Sequence, residues 1–536
     1  MQTREQGARI YSRDTNLHGS ARWASRAHFK SRKLGEHGDI FLGYGMAEHK
    51  GGRAYPITSS TKKHLITIAP TRSGKSVAMI VSRCLEHRGS LVVIDTKNGE
   101  IALICANHRI NNMGRNVKVI DPWGNATDKL GIPAACFNPL DWFDINSEDS
   151  VEDAFLIADS LIMDRGVKDP YWSDEARALL MGLILYIKST ALVMLPTEKK
   201  SCDLAQVRRL LNLPPKKFRE MVGGKFEEDE DGNLTLVQAG MAQSWNEHVQ
   251  SAAARILNKA PKEFSSVLST AQQNTHFLES PRIQKSLSRS DFTFEDLENG
   301  NLDIFIVLPA GRLWIYARFL RLLINLGITS VSRFESKPNP PVYFLLEEAA
   351  ALGHMGVIEN AFGLMAGLGM QLHMVFQDLS QLASIYGDRW QSFIANSGVI
   401  QCFGTRDIMT AEYLSKLCGV GTVESLSEYS AALRAGLFSD PNYLSRDDSV
   451  HSRVLITPDE IMTMPSSAQL LILSNAYPVI CFKSAYFLDR RYRDKNGKPY
   501  FDIHPHYQDR PLPRAVDFTK SNLDIAELIS HVMDEG

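Results

Sequence analysis

The stretch APTRSGKS, Ala69–Ser76, places a glycine, a lysine and a serine in succession after a short loop. A loop that turns sharply into a helix N-terminus aims several backbone N–H groups at one point, where the helix dipole also favours negative charge. Gly74 would let the backbone approach phosphate oxygens, Lys75 would contact the β- and γ-phosphates, and the Ser76 hydroxyl would ligate Mg²⁺. The pattern is GxxxxGK[ST], with Ala69 where the first glycine should be. Ala would be strained there if that position needed a positive φ. A bare GKS is common, so the flanking elements decide its meaning. On this reading Pro70, Thr71, Arg72, Ser73, Gly74, Lys75, Ser76 and Val77 bind ATP.

Phosphate chemistry also needs acids at the tip of a neighbouring strand. VYFLLEEA supplies Val342–Leu346 followed by Glu347 and Glu348. Glu347 is expected to hold Mg²⁺ with Ser76, directly or through water, and Glu348 to polarise the attacking water as general base. Asp is usual at the first of these positions, so Glu347 is a departure. Gln377, after the run LHMVF, is placed to sense the γ-phosphate. Asp95, at the end of LVVID, lies at another strand tip with Lys97 and Glu100 near.

The elements that must position these residues can be read from apolar spacing. HLITI precedes the loop, and SVAMIVSRCLEHRG follows with Val77, Ile80, Val81, Cys84 and Leu85 on one helical face. LVVID comes next, so strand, loop, helix and strand form a βαβ unit. From Asp303 onward strands and helices alternate again: DIFIVLP, ARFLRLLINLGITSVSRF, VYFLLEE, VIENAFGLMAGLG, LHMVFQ, DRWQSFIAN, VIQCFGT and DIMTAEYLSKLCG. Near-continuous apolar strands imply a mostly parallel α/β sheet with helices on both faces. Residues 148–298 read differently, as an inserted all-α domain between residues 1–147 and 299–536 of one split nucleotide-binding domain. Within it, Ser150 and Asp153 form a candidate capping box, and Ser173 is the expected N-cap of SDEARALLMGLILYI. KFEEDEDGNLTLV breaks the helical pattern and reads as a solvated acidic turn. The first sixty residues read as a lead-in plus a strand pair, and 423–450 as a long surface loop.

With 536 residues, 44% hydrophobic, 22% charged and a formal net charge of −2, the chain is expected to be globular and is no global polycation. Its seven cysteines include no CxxC pair, which argues against a zinc site or disulfide framework and for reduced, mostly buried thiols. The most apolar stretch, Leu179–Leu195, is shorter than a membrane span and is interrupted by Lys188, so it reads as a buried helix. No signal peptide opens the sequence, and no span is expected in this chain.

Taken in order, LHGSARWAS (Leu17–Ser25), APTRSGKS, IDTKNGE, FNPLDWF, YWSDEAR, SRSDFTFEDL, RFLRLLI, LLEEAAALGHM, VFQDLSQL, ANSGVIQCFGTRDIMTAEYLSKLCG and LITPDEIMTMP resemble the type IV secretion coupling proteins, the TraG/TraD-type conjugation ATPases. Departures are Ala69, Glu347 and the extra Asn98 in the DxKGE-like stretch. The resemblance implies a RecA-like P-loop domain carrying an all-α substrate-docking domain. It also implies a homo-hexamer at the cytoplasmic face of the bacterial inner membrane when anchored, or a monomer in isolation, this portion lacking the family's N-terminal transmembrane helices. Its partners would be the type IV secretion machinery and either relaxase–DNA complexes or protein effectors and their adaptors, received through residues 148–298. In a ring, Arg406 in FGTRD, or Arg318 or Arg321, would be the arginine finger for a neighbour's nucleotide. Two other readings share the motifs: a DNA translocase of the FtsK/HerA type, and a non-hydrolysing substrate receptor with a degenerate nucleotide site.

Overall fold

The computed structural model describes residues 19–31, 38–45, 53–163, 170–193, 202–228, 234–364, 367–425, 449–505, 508–509 and 511–519. Strands β1 (Ile40–Gly45) and β2 (Tyr55–Ser59) pair antiparallel, the strand pair read from the sequence. Strands β3 (His64–Ile68), β4 (Leu91–Asp95) and β5 (Asn116–Ile120) follow. Then come β6 (Lys225–Glu228) and β7 (Leu234–Gln238), and after them β8 (Leu302–Val307), β9 (Val342–Leu346), β10 (Met370–Phe376) and β11 (Ser397–Cys402). The last are β12 (Val420–Ser425), β13 (Ser449–Val454), β14 (Ala468–Leu473) and β15 (Val479–Phe482).

One 11-stranded sheet runs in the order β2-β1-β15-β14-β11-β3-β10-β9-β4-β8-β5. From β11 through β5 every pairing is parallel, whereas β14, β15, β1 and β2 add on antiparallel beyond β11. The parallel strands are mostly apolar because both faces of most of them are covered. Alternation divides them: Ile66, Ile68, Phe344 and Leu346 join one core, and Leu65, Val93, Tyr343 and Leu345 the other. Helices 76–86 and 100–111 cover the second face; helix Ala317–Ser332 and the inserted helices cover the first.

A buried polar ladder crosses the second face. Tyr343 Oη meets His373 Nδ1 at 2.6 Å, and His373 Nε2 meets Thr67 Oγ1 at 2.7 Å. Thr67 donates to Gln401, Gln401 to Gln469, and Gln469 to the Leu42 carbonyl oxygen. This ties β9, β10, β3, β11, β14 and β1 in one register, because a one-residue slip would turn each polar group to the other face.

Four expectations need revision. Among the described residues, the only strands between β5 and β8 are the β6–β7 hairpin, so KFEEDEDGNLTLV is strand on both sides of residues 229–233, which lie outside the described residues. Helix Ser150–Leu161 has Asp149 at its N-cap with no side-chain cap bond, because the Asp153 carboxylate pairs with Arg333 instead of closing a box with Ser150. The next helix, Tyr171–Val193, begins before Ser173, which is buried within it. The ends of the expected 423–450 loop pair in β12 and β13, and 426–448 lie outside the described residues, as do 1–18, which include Leu17 and His18 of the lead-in. Leu179, Leu180, Leu183, Ile184 and Ile187 are buried as expected. Among the described residues no helix is long and apolar enough to cross a membrane.

Candidate functional site

The loop after β3 is built as a tight turn. The Ala69 N–H donates to the Phe376 carbonyl at the end of β10, and Ser73 N–H donates back to the Pro70 carbonyl. The left-handed residues are Arg72 (φ 62°) and Gly74 (φ 79°), so the buried Ala69 is not strained in the missing glycine's place. The helix opens with a π turn, Ser76–Ile80, and continues as Val81–Glu86. Lys75 and Ser76 are buried at its start.

Sheet order brings the distant residues together. β10 lies between β3 and β9, so Gln377 stands between the loop and the two glutamates. Lys75 Nζ forms an ion pair with Glu348 Oε1, joining residues 273 positions apart. Gln377 Nε2 reaches Glu348 Oε2 at 3.4 Å. Glu348 is itself left-handed (φ 57°), an unfavourable conformation for this residue type and of the kind held at functional sites.

Glu347 is buried, and neither carboxylate oxygen has a hydrogen-bond partner among the described residues. Burial raises its pKa, against the lowering influence of Lys97 and Lys75. The Lys97 ammonium lies 3.4 Å from Glu347 Oε1 and donates to Ser76 Oγ at 2.6 Å. An orphaned carboxylate facing a hydroxyl across a cation is a donor set that fits Mg²⁺, with Ser76 and Glu347 as the residues to hold it.

Asp95 has a different part from a nucleotide ligand. Its Oδ2 accepts from the N–H groups of Ile101 (2.8 Å) and Ala102 (3.0 Å), and Oδ1 from Lys97 N–H (3.2 Å). Burial, with Glu347 adding to it, pushes its pKa up to about 7 despite these bonds. It anchors the turn that carries Lys97.

Of the three arginines, Arg406 is exposed just beyond the end of β11. Arg318 donates to Leu161 O and Asn274 Oδ1, and the buried Arg321 donates to the carbonyls of Leu352 and His354. Arg318 and Arg321 thus bind within their own chain, against the finger role considered for them. Sequence reasoning passed over Lys483, whose buried ammonium donates to the Ser73 carbonyl at 3.0 Å and lies 4.5 Å from the centre of the Phe403 ring. No local pattern marks it, since its partner is 410 residues away.

Residues 22–508 match the family described as type IV secretory system conjugative DNA transfer. The chain belongs to that family. As a member it is 26% identical to a probable conjugal transfer protein TraG of Sinorhizobium fredii, over 81% of its own length and 64% of that protein. It is 26% identical to the type IV secretion system-coupling protein VirD4 of Bartonella quintana, over 82% and 65%. The chain therefore spans somewhat less than two thirds of these relatives. Among solved structures, the conjugative coupling protein TrwBdeltaN70 in its unbound form superposes with a TM-score of 0.62 at 15% identity, covering 90% of this chain and 95% of that one. TrwB solved with ADP and Mg²⁺ gives 0.62 at 16% identity, with 90% and 96% covered. The family member's α/β fold is thus shared with TrwB.

Proposed function

We propose that this family member is a P-loop ATPase that couples ATP hydrolysis to moving conjugative cargo into a type IV secretion channel. The observation that carries the reading is the convergence of Lys75, Ser76, Glu347, Glu348 and Gln377 at the carboxyl ends of three adjacent strands. The family description favours a DNA–relaxase cargo over protein effectors, with residues 148–298 as the docking segment. A ring of subunits at the cytoplasmic face of the inner membrane is the assembly in which the exposed Arg406 would reach a neighbour's nucleotide.

In the working site the backbone of Pro70–Val77 cradles the phosphates, and Lys75 leaves Glu348 to contact the β- and γ-phosphates. Glu348, released from that ion pair, accepts a proton from the attacking water. Gln377, already within reach of Glu348, orients that water and reports whether the γ-phosphate is present. Mg²⁺, held by Ser76 and Glu347, would supply neutralisation of phosphate charge.

The test is phosphate release with bound-nucleotide fluorescence. Glu348→Gln should bind ATP normally and hydrolyse it about 10²-fold or more slowly, within the range for a removed general base. Lys75→Ala should lose hydrolysis while remaining folded, by about 10²–10³-fold as for a removed charge stabiliser. Wild-type turnover in Lys75→Ala would sink the proposal.

A further inference from the structure

Two lysines of the site each face one of its two glutamates. Lys75 is paired with Glu348, and Lys97 lies between Glu347 and Ser76. The Lys97 backbone is fixed from both sides. Its N–H is held by Asp95, and the turn proceeds through Asn98 (φ 58°) and Gly99 (φ 83°) into helix Glu100–Asn111. Gly99 is required there: a Cβ would fall 2.5 Å from the Ala126 Cβ, in a conformation that side chains disfavour. The side chain, by contrast, is 37% exposed and can swing outward.

We propose that the Lys97 ammonium is a tethered counter-ion that holds the place between Ser76 Oγ and Glu347 where a divalent cation would bind. The inference rests on the nucleotide-site reading above and adds a property to it: a free divalent cation is kept out until Lys97 vacates. Two cations cannot share one carboxylate and one hydroxyl at hydrogen-bond distance without strong repulsion. Metal entry and movement of the Lys97 side chain are then one event.

The experiment is a Mn²⁺ titration of the nucleotide-free full chain, followed by electron paramagnetic resonance. Lys97→Met should bind Mn²⁺ at least about tenfold more tightly than wild type. The double variant Lys97→Met/Glu347→Gln should lose that gain. Lys97→Gln serves in the same comparison if Lys97→Met does not fold, as judged by thermal melting. A Mn²⁺ affinity in the Lys97 variant equal to or below that of wild type, including no binding by either, overturns the proposal. So does a gain that survives Glu347→Gln. Fluorescent ADP binding to wild type with Mg²⁺ separates the two readings. Failure of ADP to bind removes the nucleotide site itself, whereas ADP binding with unaltered Mn²⁺ affinity removes only the role of Lys97.

Discussion

Asp303, at the amino end of β8, and Glu347, just past the carboxyl end of β9, are both buried carboxylates of the same sheet. Asp303 receives Arg109 Nε at 2.5 Å and Nη2 at 2.9 Å, with Arg115 Nη2 at 3.2 Å. The remaining Arg109 donors go to the carbonyls of Cys84 (2.6 Å), His87 (2.9 Å) and Gly89 (3.3 Å). Glu347 has no hydrogen bond at all among the described residues, only Lys97 at 3.4 Å. A buried charge whose every lone pair is used holds the chain together. One left underbonded at a strand's carboxyl end has lone pairs free for a ligand, where such sheets bind them.

Removing one partner at each end should break this contrast in opposite directions. Arg109→Ala leaves Asp303 with Arg115 alone and strands three carbonyls, and should cost about 3 kcal/mol of stability in urea unfolding, the lower end of the range for breaking a buried pair. It should leave the nucleotide affinity of the folded protein unchanged, since Arg109 lies at the other end of the strands. A loss below about 1 kcal/mol would show that Asp303 is no better held than Glu347.

Glu347→Gln should do the reverse and stabilise the protein by about 1 kcal/mol at neutral pH, because a buried carboxylate that accepts no hydrogen bond is removed while the half-exposed Lys97 can turn to solvent. The sign with pH follows from its raised pKa. A carboxyl whose pKa is raised by folding contributes stability below its unfolded value, and that contribution is lost as pH rises through the folded value. The advantage of Glu347→Gln over wild type should therefore widen between pH 5 and pH 8. A gap that stays level would mean the Glu347 ionisation is already compensated, and the two carboxylates would be alike.

This contrast also marks where sequence reading stops. The turn from β3 into its helix and the parallel strands were legible because their signals are local: GKS sits between HLITI and a helical face, and the strands are mostly apolar. The pairing of Lys75 with Glu348 could be expected in kind from the two motifs. The antiparallel rim of β14 and β15 was not legible, since AQLLIL and VICF are short apolar runs with nothing to give direction or neighbour. Lys97 was noticed only as a neighbour of Asp95, and its contact with Glu347 comes from β4 lying beside β9 in the sheet. The capping box failed for the same reason in reverse: Asp153 has a tertiary partner, Arg333, 180 residues away, and that partner outcompetes the local bond.

The smallest expected effect concerns the polar ladder, a third state between these extremes: neutral groups, buried and fully bonded. His373 uses both ring nitrogens, to Thr67 and Tyr343, and burial pulls its pKa down to about 3, with Arg83 adding to the shift. A histidine held neutral by folding contributes stability above its unfolded pKa, and that contribution fades as pH falls toward the folded value, because the unfolded chain takes up the proton first. His373→Gln should therefore cost about 1 kcal/mol at pH 7, the worth of the hydrogen bonds it disturbs. The gap to wild type should narrow at pH 5, where wild type has lost part of its advantage and the variant has nothing at that position to protonate. Urea midpoints at the two pH values decide it. A gap independent of pH would mean that the ladder tolerates a charged His373, and that the sheet interior accepts unpaired charge away from its carboxyl ends too. The difference between Asp303 and Glu347 would then reflect which partners happen to be near, and not a division of the sheet into a structural and a ligand-binding end.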